Sequence, residues 1–133
     1  MMEIIEGGTG PRVLIIEDNV SLAKVWLMDT EGARLTIVTT LREARRQIDG
    51  WLAEFTAIFV DGRVEACSCD PSDTLELIQH IRAQGYTGPL IAISNDEEVR
   101  QQQLTAGCND SCAKEVVTDT IRRLITETPS RLA

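Results

Sequence analysis

The feature that most constrains this chain is a recurring unit, in which a short run of branched apolar residues stops abruptly at polar ones and a stretch with helical spacing follows. The first run, Val13-Leu14-Ile15-Ile16, ends at Glu17-Asp18-Asn19. Similar runs return at Leu35 to Val38, Ala57 to Val60 and Leu90 to Ile93, with a weaker one at Ser111 to Ala113. A strand that is apolar at successive positions, not alternate ones, is buried on both faces. Five such strands are expected. Between them, Leu41, Ala44, Ile48 and Leu52 recur at helical spacing, with Thr40 and Glu43 in capping-box positions. Leu22, Val25 and Trp26 mark a first helix, Leu75, Ile78 and Ile81 a third, and Val117, Ile121, Leu124 and Ile125 a fifth; the fourth, Asp96 to Ala106, is mostly polar. Strands alternating with helices need right-handed crossovers, which place helices on both faces of a parallel sheet. The expected class is α/β, a three-layer (βα)5 unit around a central parallel five-stranded sheet.

A chain of 133 residues, 43% hydrophobic and 26% charged, suits one domain with its own core. No internal repeat or linker divides it. Residues 1–10 read as a flexible N-terminal segment, 11–127 as the domain and 128–133 as a tail. The formal net charge of -8 opposes the attraction that nucleic acids and anionic membranes exert on basic proteins, so neither is an expected direct partner. No apolar run is long enough to span a bilayer, and Met1 to Gly10 lacks the features of a secretory signal. A cytoplasmic location is expected. The four cysteines, Cys67, Cys69, Cys108 and Cys112, are expected as reduced thiols, since a domain of this size has core enough without staples.

In a doubly wound sheet, functional groups collect at the carboxyl ends of the strands. Glu17 and Asp18 follow the first run, Thr39 and Thr40 the second, Asp61 the third, Ser94 the fourth and Lys114 the fifth. Three carboxylates gathered at neighbouring strand ends repel one another unless they share a cation. Oxygen-only ligands with room for water favour Mg2+ over zinc. Lys114 offers a positive charge to an anionic oxygen and the Ser94 hydroxyl a hydrogen bond to another, a set that fits a phosphoryl group with Asp61 as its acceptor. Such transfer needs positioning and charge neutralisation more than acid-base machinery. Alone, Glu17-Asp18 is more often a solvated turn. Its coincidence with Asp61, Ser94 and Lys114, each after its own strand, favours the functional reading.

Val13 to Asp18 (VLIIED), Ile58 to Asp61 (IFVD), Leu90 to Ser94 (LIAIS) and Ala106 to Lys114 (AGCNDSCAK) together resemble the receiver domains of two-component response regulators, over residues 11 to 127. The resemblance implies a flavodoxin-like sheet in the order 2-1-3-4-5. It implies Mg2+ held by Glu17, Asp18, Asp61 and the backbone carbonyl of Arg63, with Asp61 as phosphoacceptor and Ser94 and Lys114 contacting the phosphoryl group. The implied partners are a histidine kinase or phosphotransfer protein and a downstream effector domain or protein; many receivers also pair as homodimers through the fourth helix, fifth strand and fifth helix, which leaves the oligomeric state open. Catalysis would extend at most to the domain's own loading and dephosphorylation, in the service of a conformational switch.

Several positions depart from the receiver pattern. The segment from Gly62 to Ser72 is longer than usual, and Thr74 replaces a Gly that opens the third helix. Glu115 stands where a Pro follows the lysine, so a trans peptide bond and a shifted loop are expected there. Ser111 replaces the aromatic residue that couples the site to the output face, and Asn95 replaces a small residue beside Ser94. These departures motivate an alternative reading, a pseudo-receiver that acts as a phosphorylation-independent interaction module. A weaker alternative is a thiol sensor built on Cys67 and Cys69, whereas Cys112 reads as a small buried residue. His80 is assigned no role, Trp26 and Trp51 are expected to pack, and Arg42, Arg45 and Arg46 read as a solvated helix face.

Overall fold

A computed structural model describes residues 4–65 and 71–127. Strands β1 (Ile4–Gly7), β2 (Arg12–Ile16), β3 (Arg34–Val38), β4 (Phe55–Val60), β7 (Leu90–Ala92) and β8 (Asp110–Ser111) form one six-stranded sheet in the order β1-β3-β2-β4-β7-β8. All neighbours are parallel except β1, which runs antiparallel to β3. Without β1, the order of the five anticipated strands is the expected 2-1-3-4-5. Strands β5 (Arg63–Glu65) and β6 (Pro71–Asp73) make a separate antiparallel pair. The helices are α1 (Val20–Asp29), α2 (Leu41–Trp51), α3 (Leu75–Ala83), α4 (Glu97–Ala106) and α5 (Val117–Glu127).

The pleat of the strands divides the core in two. Leu14 and Ile16 of β2, with Ile58 and Val60 of β4, pack with Ala44 and Ile48 of α2 and Ile78 and Ile81 of α3 on one face. Val13 and Ile15, with Ala57 and Phe59, pack with Ala23 and Trp26 of α1 and Val117 and Ile121 of α5 on the other. Full burial of each such Leu or Ile contributes about 1.5–3 kcal/mol, so the apolar runs explain both why the sheet is central and why helices cover both faces. The cap anticipated for α2 forms, with Thr40 Oγ1 accepting from the Glu43 backbone N–H at 3.1 Å. The Glu43 carboxylate also takes hydrogen bonds from Arg46 and Gln47, each at 3.1 Å.

Three expectations are corrected. Part of the N-terminal segment expected to be flexible is an ordered edge strand: Ile4 packs against one core and Ile5 against the other, while Glu6 pairs with Arg34 at 3.2 Å. Helix α1 buries Ala23 and Trp26 but leaves Val25 48% exposed, so its inner stripe is rotated from the expected one. Trp51, expected to pack, is 51% exposed at the end of α2. Cys67 and Cys69 lie outside the described residues.

Candidate functional site

Glu17, Asp18, Asp61 and Ser94 follow buried strands at the carboxyl edge of the sheet, and Lys114 lies three residues beyond the short β8. Glu17 N–H donates to the Val38 carbonyl at 3.0 Å and Asp61 N–H to the Ile16 carbonyl at 2.9 Å, so the sheet ladder carries both residues into register just beyond its last apolar pairs. Carboxylate oxygens of Glu17, Asp18 and Asp61 all lie within 4.8 Å of one another. Lys114 Nζ reaches this trio from the loop after β8, 2.9 Å from Glu17 Oε1 and 3.1 Å from Asp61 Oδ2. Ser94 is buried beside Gly62, on which a Cβ would lie 3.4 Å from Ser94 Oγ. Five of the six anticipated residues thus gather at one rim. The sixth, Arg63, opens β5 two residues beyond Asp61, opposite Asp73, with its side chain exposed.

The electrostatics follow from burial. Glu17 is fully buried, and that desolvation, with Asp61 beside it, pushes its carboxyl up to about 7 despite the opposing pull of Lys114 and the Asn19 backbone N–H. Burial works against the Lys114 charge, but Glu17 and Asp61 outweigh it and raise the ammonium above its usual value. A pocket that stacks carboxyl groups this closely favours a cation beyond the lysine. The trio of Glu17, Asp18 and Asp61 offers only oxygen donors, which suit a hard divalent ion such as Mg2+.

The loops around the site are tied by contacts that local sequence pattern does not reveal. Asn95 Oδ1 accepts from the Lys114 backbone N–H at 3.1 Å and Asn95 Nδ2 donates to Glu115 Oε1 at 3.3 Å. The Asn95 side chain therefore links the two loops instead of projecting toward the acidic trio. Trp26 Nε1 donates to the Lys114 carbonyl at 3.3 Å, an 88-residue separation that only the fold brings together. No cis peptide bond occurs among the described residues, as expected for Glu115, and Lys114–Val116 forms a turn of 3-10 helix leading into α5. Thr74, seen in the sequence only as a departure, is fully buried and donates to the Asp61 carbonyl at 2.6 Å.

Elsewhere, His80 Nε2 lies 2.9 Å from Asp49 Oδ1. Cys108 is buried, which pushes its thiol up to about 12, and burial likewise raises the half-buried Cys112. Neither is a ready nucleophile. Among the described residues no helix is long and apolar enough to cross a membrane.

This sheet order, with helices on both faces and an acidic trio facing a lysine at the carboxyl edge, defines the receiver-domain fold of response regulators. Solved structures agree. The receiver domain of a sensor histidine kinase from Pseudomonas aeruginosa PAO1, described with a magnesium ion coordinated in its active-site cleft, superposes with a TM-score of 0.70 at 26% identity, covering 90% of this chain and 97% of that one. The Francisella response regulator 1452 receiver domain gives 0.69 at 19% identity, over 90% and 99% of the two chains. A CheY-like response regulator receiver domain protein from Methanospirillum hungatei JF-1 gives 0.68 at 16%, over 93% and 97%. No protein-family model matches the chain, and no curated protein matches its sequence.

Proposed function

We propose that this chain is a phosphoryl-accepting receiver domain in two-component signalling, with Asp61 the acceptor. The observation that carries the reading is Lys114 Nζ held 2.9 Å from Glu17 and 3.1 Å from Asp61, beside a carboxyl trio within 4.8 Å. Glu17, Asp18, Asp61 and the Arg63 backbone carbonyl would hold Mg2+, which supplies positive charge to phosphoryl oxygens when bound. Asp61 presents its carboxylate oxygen to phosphorus. The bond from phosphorus to the donor's nitrogen or oxygen breaks as the bond to Asp61 forms, and the leaving group departs with the electron pair. Lys114 neutralises charge on one phosphoryl oxygen and the Ser94 hydroxyl donates to another.

The donor class is the phosphohistidine of a histidine kinase or phosphotransfer protein, and the recipient of the signal is an effector domain or protein. The kinase, repressor and regulator receivers among similar structures support these partner classes. The setting is cytoplasmic, and α4, β8 and α5 offer the face for a homodimer. Incubation with Mg2+ and acetyl phosphate should label Asp61, and Asp61→Asn should abolish the label. Absence of label under conditions that load an ordinary receiver rejects the proposal. The half-buried Ser111, too small to act as an aromatic switch, favours a second reading as a pseudo-receiver that signals by standing contacts. That reading fails where loading changes the affinity for a partner.

A further inference from the structure

Thr74, the residue before α3, and Gln103, in α4, are each 0% exposed. Thr74 Oγ1 donates to the Asp61 carbonyl at 2.6 Å. Gln103 Nε2 donates to the Val60 carbonyl at 2.9 Å and lies 3.4 Å from Thr74 Oγ1. The two carbonyls held in this way flank the Asp61 Cα, one in the peptide before it and one in the peptide after. Fixing both peptide planes fixes the direction in which the Asp61 side chain leaves the backbone.

The sheet does not require this arrangement. The Val60 carbonyl already accepts from Ile93 N–H at 3.0 Å, so Gln103 adds a second donor to a satisfied group. Gln103 Oε1 is buried with no hydrogen-bond partner, and a half-satisfied amide is a worse core filler than an apolar side chain of similar size. What Gln103 provides that leucine would not is its Nε2 donor, aimed at the peptide that carries Asp61.

We infer that Thr74 and Gln103 are positioning residues for Asp61, a buried pair joining β4, the start of α3 and α4 that sets the carboxylate's orientation for attack on phosphorus. The inference rests on Asp61 being the phosphoacceptor. Productive geometry in phosphoryl transfer is sensitive to small displacements, and outer partners of a reacting group typically control about 10–100-fold in activity.

The test compares the full chain with Gln103→Leu, Thr74→Val and Thr74→Ser, labelled by acetyl phosphate and Mg2+ well below their melting temperatures. Gln103→Leu should melt no lower than the parent yet load at least about tenfold more slowly at saturating donor. Thr74→Val should load slowly and Thr74→Ser near the parental rate, with the half-saturating donor concentration little changed throughout. Parental loading rates per folded molecule in Gln103→Leu overturn the inference, whatever Thr74→Val does to stability. Where the parent takes no label, the acceptor reading fails by itself, and the 13C NMR signal of the Asp61 carboxyl in metal-free protein decides the positioning. A signal that moves in Gln103→Leu and Thr74→Val and returns in Thr74→Ser supports it, and a signal unmoved in the first two overturns it.

Discussion

Glu17 is the residue at which the fold and the site pull in opposite directions. Burial and the neighbouring Asp61 raise its carboxyl from 4.5 to about 7, against Lys114 and the Asn19 N–H. A carboxyl whose folded pKa lies above its unfolded value contributes stability that is fully present below about pH 4.5 and is lost as the pH rises through about 7. The amount is on the order of 3 kcal/mol, since each tenfold change in proton affinity corresponds to about 1.4 kcal/mol. Glu17→Gln carries no such titration. Its melting temperature relative to the parent, both metal-free, should therefore climb in the variant's favour between pH 5 and pH 8. Melts at several pH values by circular dichroism check this, and a gap that stays flat or shrinks with pH contradicts the account. At this scale the sequence was highly informative about identity and much less so about support. Glu17, Asp18, Asp61, Ser94 and Lys114 stood out because each follows an apolar run, whereas Thr74, Gln103 and Asn95 work through partners 12 to 43 positions away, which local pattern does not encode.

Among the elements, α4 has the least apolar hold on the sheet, and its seating on β4 depends on the absence of a side chain at Gly62. Gln103 is its only fully buried residue. Its start is fixed by Asp96 accepting from Glu98 and Val99 N–H at 3.0 and 3.3 Å, and by Arg100 donating to the Ser94 carbonyl at 2.6 Å. A Cβ on Gly62 would come within 2.2 Å of Val99 Cγ1 and 3.3 Å of Ser94 Cβ. Gly62→Ala should accordingly destabilise the chain by about 1–3 kcal/mol through overpacking. Adding Val99→Ala should recover much of that loss, a coupling read from urea unfolding of both single variants and the double. Strictly additive losses would show that Val99 is not what Gly62 accommodates. The polar character of α4 was evident from its composition, but the close approach was not, because a glycine after a strand reads equally well as a turn. The β5–β6 pair is not legible in the sequence for a related reason, since two three-residue strands, Arg63–Glu65 and Pro71–Asp73, are too short to carry the apolar alternation that marks a half-buried ladder.

Over the whole molecule, the clearest part of the plan in the sequence was the part buried on both sides. Three unbroken apolar runs, a fourth interrupted only by Thr36 and a weaker one at β8 imply five parallel strands, and the helices between them imply two covering layers. The edge was hidden because β1 is half-buried and only four residues long, with Glu6 facing Arg34 and Thr36. Its function in the fold is to close the side of β3, which would otherwise present free backbone groups to another chain. Deleting residues 1–7 removes four cross-strand positions and the packing of Ile4 and Ile5. At about 0.2–1 kcal/mol per cross-strand position, plus the two isoleucines, the loss should reach a few kcal/mol. The melting temperature should then fall by about 10 °C, at roughly 4 °C per kcal/mol for a domain of this size. The exposed β3 edge should also make the shortened chain self-associate as its concentration rises, despite a net charge that otherwise keeps copies apart. Sedimentation velocity across a concentration series, alongside thermal melts, measures both effects. A truncated chain that melts with the parent and stays monomeric would mean that β1 adds nothing to the sheet it borders.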